Sequence, residues 1–204
     1  MKKVLLTALF ITSVAIAQNP LIDEAAKEFE NINKTAVTNS KDLKVYNVLE
    51  VFYKEALKTD DGELTQGTID DITKLMEAPE TPNLNILQIF LMYQGYIAEM
   101  DEAKQPMDPE FQLLTTNVLI KESAKIYKKT PTIITIYRGE ALMSGEKTTE
   151  ARALFKDLLV SQPDCVPAKI YTYLLSENET ERNQLSAALK KERPNHWMVK
   201  EFLN

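Results

Sequence analysis

An all-α chain of about ten helices arranged as antiparallel pairs is what this sequence predicts, and three observations predict it. The 204 residues include only five glycines. Apolar residues recur three and four positions apart through most of the length, the spacing of one helix face. Runs of alternating β-branched residues, the mark of half-buried strands, are few.

Taken in order, Leu21, Ala25, Phe29 and Ile32 make the first stripe. After the polar entry TNSKD, a second runs through Val45 or Tyr46, Leu49, Phe52 or Tyr53, Ala56 and Leu57, and TDDGELTQG breaks it. Thr68 and Asp71 have the spacing of a capping box around a short helix carrying Ile69, Ile72, Leu75 and Met76. PETPN at 79–83 ends that helix. Residues 84–100 form the next, and DEAKQPMDP separates it from a long run over 110–129. Thr130 is placed to cap the following helix and Pro131 to open it, because a first-turn proline has no use for its missing N–H. Gly145 ends that helix, and Thr148 or Thr149 begins another over 148–161. Segments 166–176, 179–192 and 195–203 complete the series, punctuated by Pro163, Asn178 and Pro194.

The opening residues have a different character. Lys2 and Lys3 precede an apolar run from Val4, and Ala15 and Ala17 stand where a signal peptidase reads small residues. Cleavage after Ala17 is expected, giving a periplasmic or secreted chain with no lipid-accepting cysteine after the run. No later segment is apolar enough to span a bilayer, since the richest, 86–100, is interrupted by Gln88, Gln94 and Glu99. The expected organisation is therefore a signal peptide over 1–17, irregular helices over 18–83, and a repeat region over 84–204 packed with them as one domain. Cys165 is the sole cysteine, which excludes an intramolecular disulfide and reads as a buried small thiol. Residues 21–110 carry a net charge of −11 and residues 111–204 a net of +3. An acidic front half argues against nucleic acid as a partner, because phosphate binding demands a basic face.

A helix pair repeated down a chain is the pattern of an α-solenoid, whose units bury their apolar faces on one another. The clearest unit starts near Thr132. Gly139, Leu142, Ala151, Phe155 and Pro163 fall there at fixed offsets, and the unit resembles a tetratricopeptide repeat, a helix-turn-helix of roughly 34 residues. Thr135 and Arg138 depart from that family's usual aromatic and leucine. The physical reading of the matched residues is direct. Gly139 lets two helices approach, Ala151 supplies the facing small contact, Phe155 fills the gap to the next pair, and Pro163 stops the second helix. Tyr93-Gln94-Gly95 echoes Tyr137-Arg138-Gly139 at a distance of 44 residues, and Leu189 lies 34 residues after Phe155. The resemblance covers 84–194, about half of the chain, and implies a tetratricopeptide-like solenoid that binds a protein or peptide.

Chemistry-bearing motifs are sparse. In YRGEALMSGEKTTE, five residues rather than four separate Gly139 from Gly145, and Glu146 stands where a phosphate loop needs lysine. The segment SGEKTTE at 144–150 reads instead as the turn between two helices. With Gly62 at a calcium loop's glycine position, Leu57 and Thr68 would fill its end ligand positions, which oxygen ligation rejects. His196 is the only histidine, and no paired-cysteine or histidine motif for zinc exists. No cofactor or metal is expected. Lys121, Lys125, Lys128 and Lys129 are read as one face of the long helix, with Arg138 and Arg152 in the unit after it. The resemblance implies a groove lined by first helices, in which basic side chains clamp an acidic terminus, so Lys125 and Arg138 are the candidate partner-binding residues. The plainer reading is a solvated face, because those lysines belong to a second helix.

These observations point to an exported, non-catalytic interaction or scaffold module of a bacterial cell envelope. The alternative is an all-helical enzyme or small-ligand binder with a pocket of carboxylates and tyrosines. A third reading is an oligomer docked through the last helix, which carries Trp197, Met198 and Phe202.

Overall fold

The structure, a computed structural model, describes residues 20–203; the expected signal segment 1–17 lies outside the described residues. Among the described residues there are ten α-helices and no strand. α1 (Pro20–Thr35) buries Ala25 and Phe29. α2 (Lys44–Tyr53) buries Val45, Val48, Leu49, Phe52 and Tyr53 and continues into a π-helical turn, Lys54–Lys58. Beyond lie α3 (Gln66–Met76), α4 (Leu84–Ala103), α5 (Pro109–Tyr127), α6 (Thr132–Ser144), α7 (Thr148–Ser161), α8 (Val166–Leu175), α9 (Glu179–Glu192) and the short α10 (Trp197–Phe202).

From α4 to α9 each helix packs on the one before it. The contacts show antiparallel order in the middle of that run. Gln162 reaches Thr132 while Phe155 lies against Gly139, so α7 retraces α6. Arg152 reaches the Leu175 carbonyl while Phe155 stacks on Tyr171, so α8 retraces α7.

The front helices are not a further stack on this run. α1 packs on α4 and α5, α2 on α4 and α6, and the π-helical turn on α8. Specific contacts place α2 and the π-helical turn across the N-terminal parts of α4, α6 and α8. Phe52 meets Phe90 edge to face at 5.0 Å, Glu50 bonds Thr132 at the start of α6, and Lys58 pairs with Asp164 just before α8 at 2.7 Å. Buried side chains from α1, α2, the π-helical turn, α4 to α10 join in one apolar core.

Several helix ends differ from the sequence expectation. α3 is capped by Thr65, whose hydroxyl accepts from Thr68 N–H, so Thr68 lies inside the first turn. Pro131 rather than Thr130 precedes α6, and proline has no side-chain acceptor. The capping acceptor comes from another helix: the Glu50 carboxylate takes the Thr132 N–H at 2.7 Å and the Thr132 hydroxyl at 3.1 Å. α5 stops at Tyr127, with Lys128 left-handed at φ 59°, so Lys128 and Lys129 do not extend the face that carries Lys121 and Lys125. Lys129 instead lies over the Tyr46 ring at 4.0 Å.

A glycine-poor chain also ends helices without glycine. Lys104, Lys128 and Glu146 occupy the left-handed region where α4, α5 and α6 close. At the last of these, Lys147 N–H bonds Leu142 O at 2.8 Å and Glu146 N–H bonds Met143 O at 3.1 Å, the paired pattern of a Schellman turn. Gly145 keeps φ −87°; its missing Cβ makes room for Leu113 Cδ1, which would lie 2.7 Å away. Asn83, fully buried at φ 67°, holds the loop before α2 by donating to Asn39 O and Asp42 O and accepting from Asn39 N–H.

Candidate functional site

The junction of α6, α7 and α8 is where the sequence concentrates its special residues. A Cβ on Gly139 would stand 2.1 Å from Phe155 Cζ, so the ring occupies the volume that any other residue would need. Ala151 and Phe155 are fully buried, and the Phe155 ring stacks on Tyr171 of α8 at 4.9 Å. One aromatic side chain thus joins three consecutive helices. Burying such a ring contributes roughly 2 to 3 kcal/mol.

Beside this contact lies a polar interior. Glu140 is 6% exposed, and its carboxylate accepts the Tyr171 hydroxyl at 2.5 Å. Burial pushes its carboxyl up to about 7, against the smaller opposing effect of the Tyr171 hydrogen bond. The Glu140 charge also acts on Tyr93 and Tyr137, which meet edge to face at 5.6 Å. Burial raises the hydroxyls of Tyr93, Tyr137 and Tyr171, and the Glu140 charge adds to each. Tyr137 donates to Gln94 Oε1 at 3.4 Å. Nothing in the sequence marked Glu140. It follows Gly139 within a helix, and only the approach of α4 and α8 encloses it.

Two open clefts lie on the surface of the described residues. The first, about 490 Å³, is lined by Thr130, Thr132 and Thr135 from the start of α6 and by Leu154, Asp157, Leu158, Ser161 and Gln162 from α7. Its lining combines the apolar Leu154 and Leu158 with hydroxyls, an amide and one carboxylate. The second, about 320 Å³, lies at the α8–α9 turn among Tyr173, Glu177, Glu179, Arg182 and Asn183. There the Arg182 guanidinium sits 5.1 Å from the Tyr173 ring centre. Neither cleft reaches Glu140.

The two candidate basic residues lie apart. Arg138 is half-buried between α5 and α6, donating to Leu113 O at 3.3 Å and Thr116 Oγ1 at 3.4 Å. Lys125 is exposed and pairs with Glu122 at 3.2 Å. The step of nine positions along α5 from Thr116 to Lys125 amounts to about 14 Å of helix rise, so Arg138 and Lys125 do not converge on one clamp. Neither lines a cleft. Arg152 likewise pairs within the chain, with Glu177 at 2.9 Å. Of the tyrosines on α4, α6 and α8, Tyr93 and Tyr171 belong to the core, and Tyr96, Tyr137 and Tyr173 are half-buried.

His196 is fully buried, with both ring nitrogens engaged by backbone groups. Among the described residues, no group of three His, Cys, Asp or Glu side chains is placed to hold a metal ion, and no helix is long and apolar enough to cross a membrane. Comparison with protein-family models, with curated proteins and with solved structures found no match.

Proposed function

We propose that this chain is a non-catalytic interaction or scaffold module of the bacterial cell envelope, exported by its N-terminal segment, and that it binds a protein or peptide on a tetratricopeptide-like helical surface. The observation that carries the proposal is the junction at Gly139, Phe155 and Tyr171, where one ring locks three successive helices. Such interlocking gives a preformed surface, which lowers the ordering cost of binding an extended segment. α2 crosses the N-terminal ends of α4 and α6 and bridges the side on which a groove along the first helices would begin. The cleft between α6 and α7 is therefore the preferred contact region, because its hydroxyls and amide suit a peptide backbone and its leucines suit one apolar side chain.

The test is crosslinked capture from an envelope extract, followed by direct binding of the recovered protein to purified chain. Asp157→Lys alters the cleft, while Lys125→Glu and Arg138→Glu alter α5 and its junction with α6; circular dichroism checks folding. Loss of binding with Asp157→Lys alone supports the cleft. Loss with Lys125→Glu alone moves the surface to α5. A folded chain that recovers no protein defeats the interaction reading. The alternative of a small-ligand site draws on Glu140 and its tyrosines, but no described cleft opens onto that cluster.

A further inference from the structure

The last helix is fastened to the front half of the chain by a cluster of unusual composition. The π-helical turn leaves carbonyl groups at its C-terminal end without the partners a continuing helix would provide. Three backbone carbonyls around that end accept from two consecutive residues of the α9–α10 connection. His196 Nε2 lies 3.1 Å from Leu57 O, Trp197 Nε1 donates to Ala56 O at 3.1 Å, and Trp197 N–H donates to Asp60 O at 3.1 Å. Gly62, at φ 70°, completes the seat. A Cβ there would stand 2.6 Å from Trp197 Nε1. Trp197, Met198, Val199 and Leu203 are all buried, and α10 packs on α8.

These bonds fix the protonation state of the imidazole. Met198 N–H donates to His196 Nδ1 at 3.2 Å, so Nδ1 presents a lone pair and the proton resides on Nε2, facing the Leu57 carbonyl. A second proton on Nδ1 would oppose one N–H to another in a site with no exposed surface. We propose that the His196–Trp197 clasp is an acid-released latch, in which protonation of His196 at Nδ1 undocks α10 from the π-helical turn while the α4–α9 stack remains folded.

The surroundings agree with this direction. Burial lowers the affinity of His196 for its second proton, Arg193 adds to that effect, and the Leu57 hydrogen bond and Asp60 oppose it. On the elements packed beside α10, Lys58 of the π-helical turn pairs with Asp164 at 2.7 Å and Lys169 of α8 with Glu192 at 3.5 Å. The undocked imidazole titrates near its ordinary value of about 6.5 and the docked one lower. Between the two values, docking weakens about tenfold for each unit of falling pH.

The chain has one histidine and one tryptophan, so both sides of the latch report without labels. The experiment follows the His196 ring proton by NMR, Trp197 emission and far-ultraviolet circular dichroism from pH 8 to pH 4.5. Expected are a His196 midpoint below 6.5, a red shift of Trp197 emission with the same midpoint, and unchanged helicity outside the last helix. Gly62→Ala should show the undocked emission at every pH. His196→Asn, which keeps a capping acceptor that does not titrate, should abolish the emission transition whether the variant is docked or undocked. Emission that stays constant until overall helicity collapses would overturn the latch. So would separate midpoints for His196 and Trp197, or an unchanged transition in His196→Asn.

Discussion

Tyr93-Gln94-Gly95 on α4 and Tyr137-Arg138-Gly139 on α6 are spelled alike, and the structure gives their glycines opposite settings. A Cβ on Gly139 would collide with the Phe155 ring at 2.1 Å, whereas one on Gly95 would meet nothing within 4 Å. Their tyrosines, by contrast, share a fate: Tyr93 and Tyr137 meet at 5.6 Å beside Glu140. Close helix approach therefore depends on what the returning helix brings. α7 brings Phe155 to Gly139, while among the described residues no side chain comes within 4 Å of a Cβ on Gly95.

The sharpest way to break this comparison is to add a methyl group to each glycine. Gly139→Ala should cost about 3 kcal/mol, because Phe155 is fully buried, stacked on Tyr171 and unable to swing away. Phe155→Ala should cost a similar or larger amount, about 3 to 5 kcal/mol, through the cavity it leaves. In a double-mutant cycle the two losses should fall well short of adding, since with the ring gone the added methyl has space. Denaturant melts measure all three, and a neutral Gly139→Ala would show that the junction is not tightly closed.

The second expected effect concerns the shared tyrosines. Glu140 binds its proton more tightly in the folded chain, at about 7, than in the unfolded chain, near 4.5. Between those values folding takes up a proton, so the contribution of Glu140 is fully present below pH 4.5 and is lost as pH rises through 7. The loss amounts to as much as about 3 kcal/mol. Glu140→Gln should flatten the difference between unfolding curves recorded at pH 5 and pH 8. His196 acts in the other direction: its lowered value gives stability that is present above pH 6.5 and declines as pH falls. The two groups are separable by variant and by sign.

Gly95→Ala should do the reverse of Gly139→Ala and stabilise α4 by about 1 kcal/mol, because a solvent-facing helical glycine carries only its entropic cost. A thermal melt shows this as a rise in Tm. The smallest effect belongs to the left-handed helix ends. Lys104→Gly, Lys128→Gly and Glu146→Gly should each raise stability by about 0.5 kcal/mol, relieving the Cβ clash at positive φ. Gly145→Ala should lower it, since that glycine provides space for Leu113 rather than a left-handed turn.

Helix positions were legible where local chemistry repeats. The segments expected over 148–161 and 179–192 coincide with α7 and α9, because Gly145, Asn178 and the proline breaks act within a few residues of the ends they define. The cap of α6 was not legible, since its acceptor, Glu50, is 82 residues away in sequence. The end of α5 was missed by two residues because Lys128 takes a conformation for which lysine gives no signal. Lys125 and Arg138 follow from their charge and from the basic clamp that the repeat resemblance implies, and neither reveals that Arg138 is held by Leu113 and Thr116. The cleft residues Asp157, Ser161 and Gln162 were passed over because hydroxyls and single acids carry no spacing of their own.

By itself the sequence determined the helical class, the number and order of the helices, and the role of Gly139, Ala151 and Phe155 as packing residues. Those properties follow from the period of apolar positions and from side-chain size, both written locally. The tertiary structure decided the rest: α2 laid across the ends of the stack, Glu140 enclosed among three tyrosines, and His196 with Trp197 fastened to the π-helical turn. Each depends on residues far apart in the chain meeting in a low-dielectric interior, where an unpartnered polar group is costly and its partner is chosen by the fold.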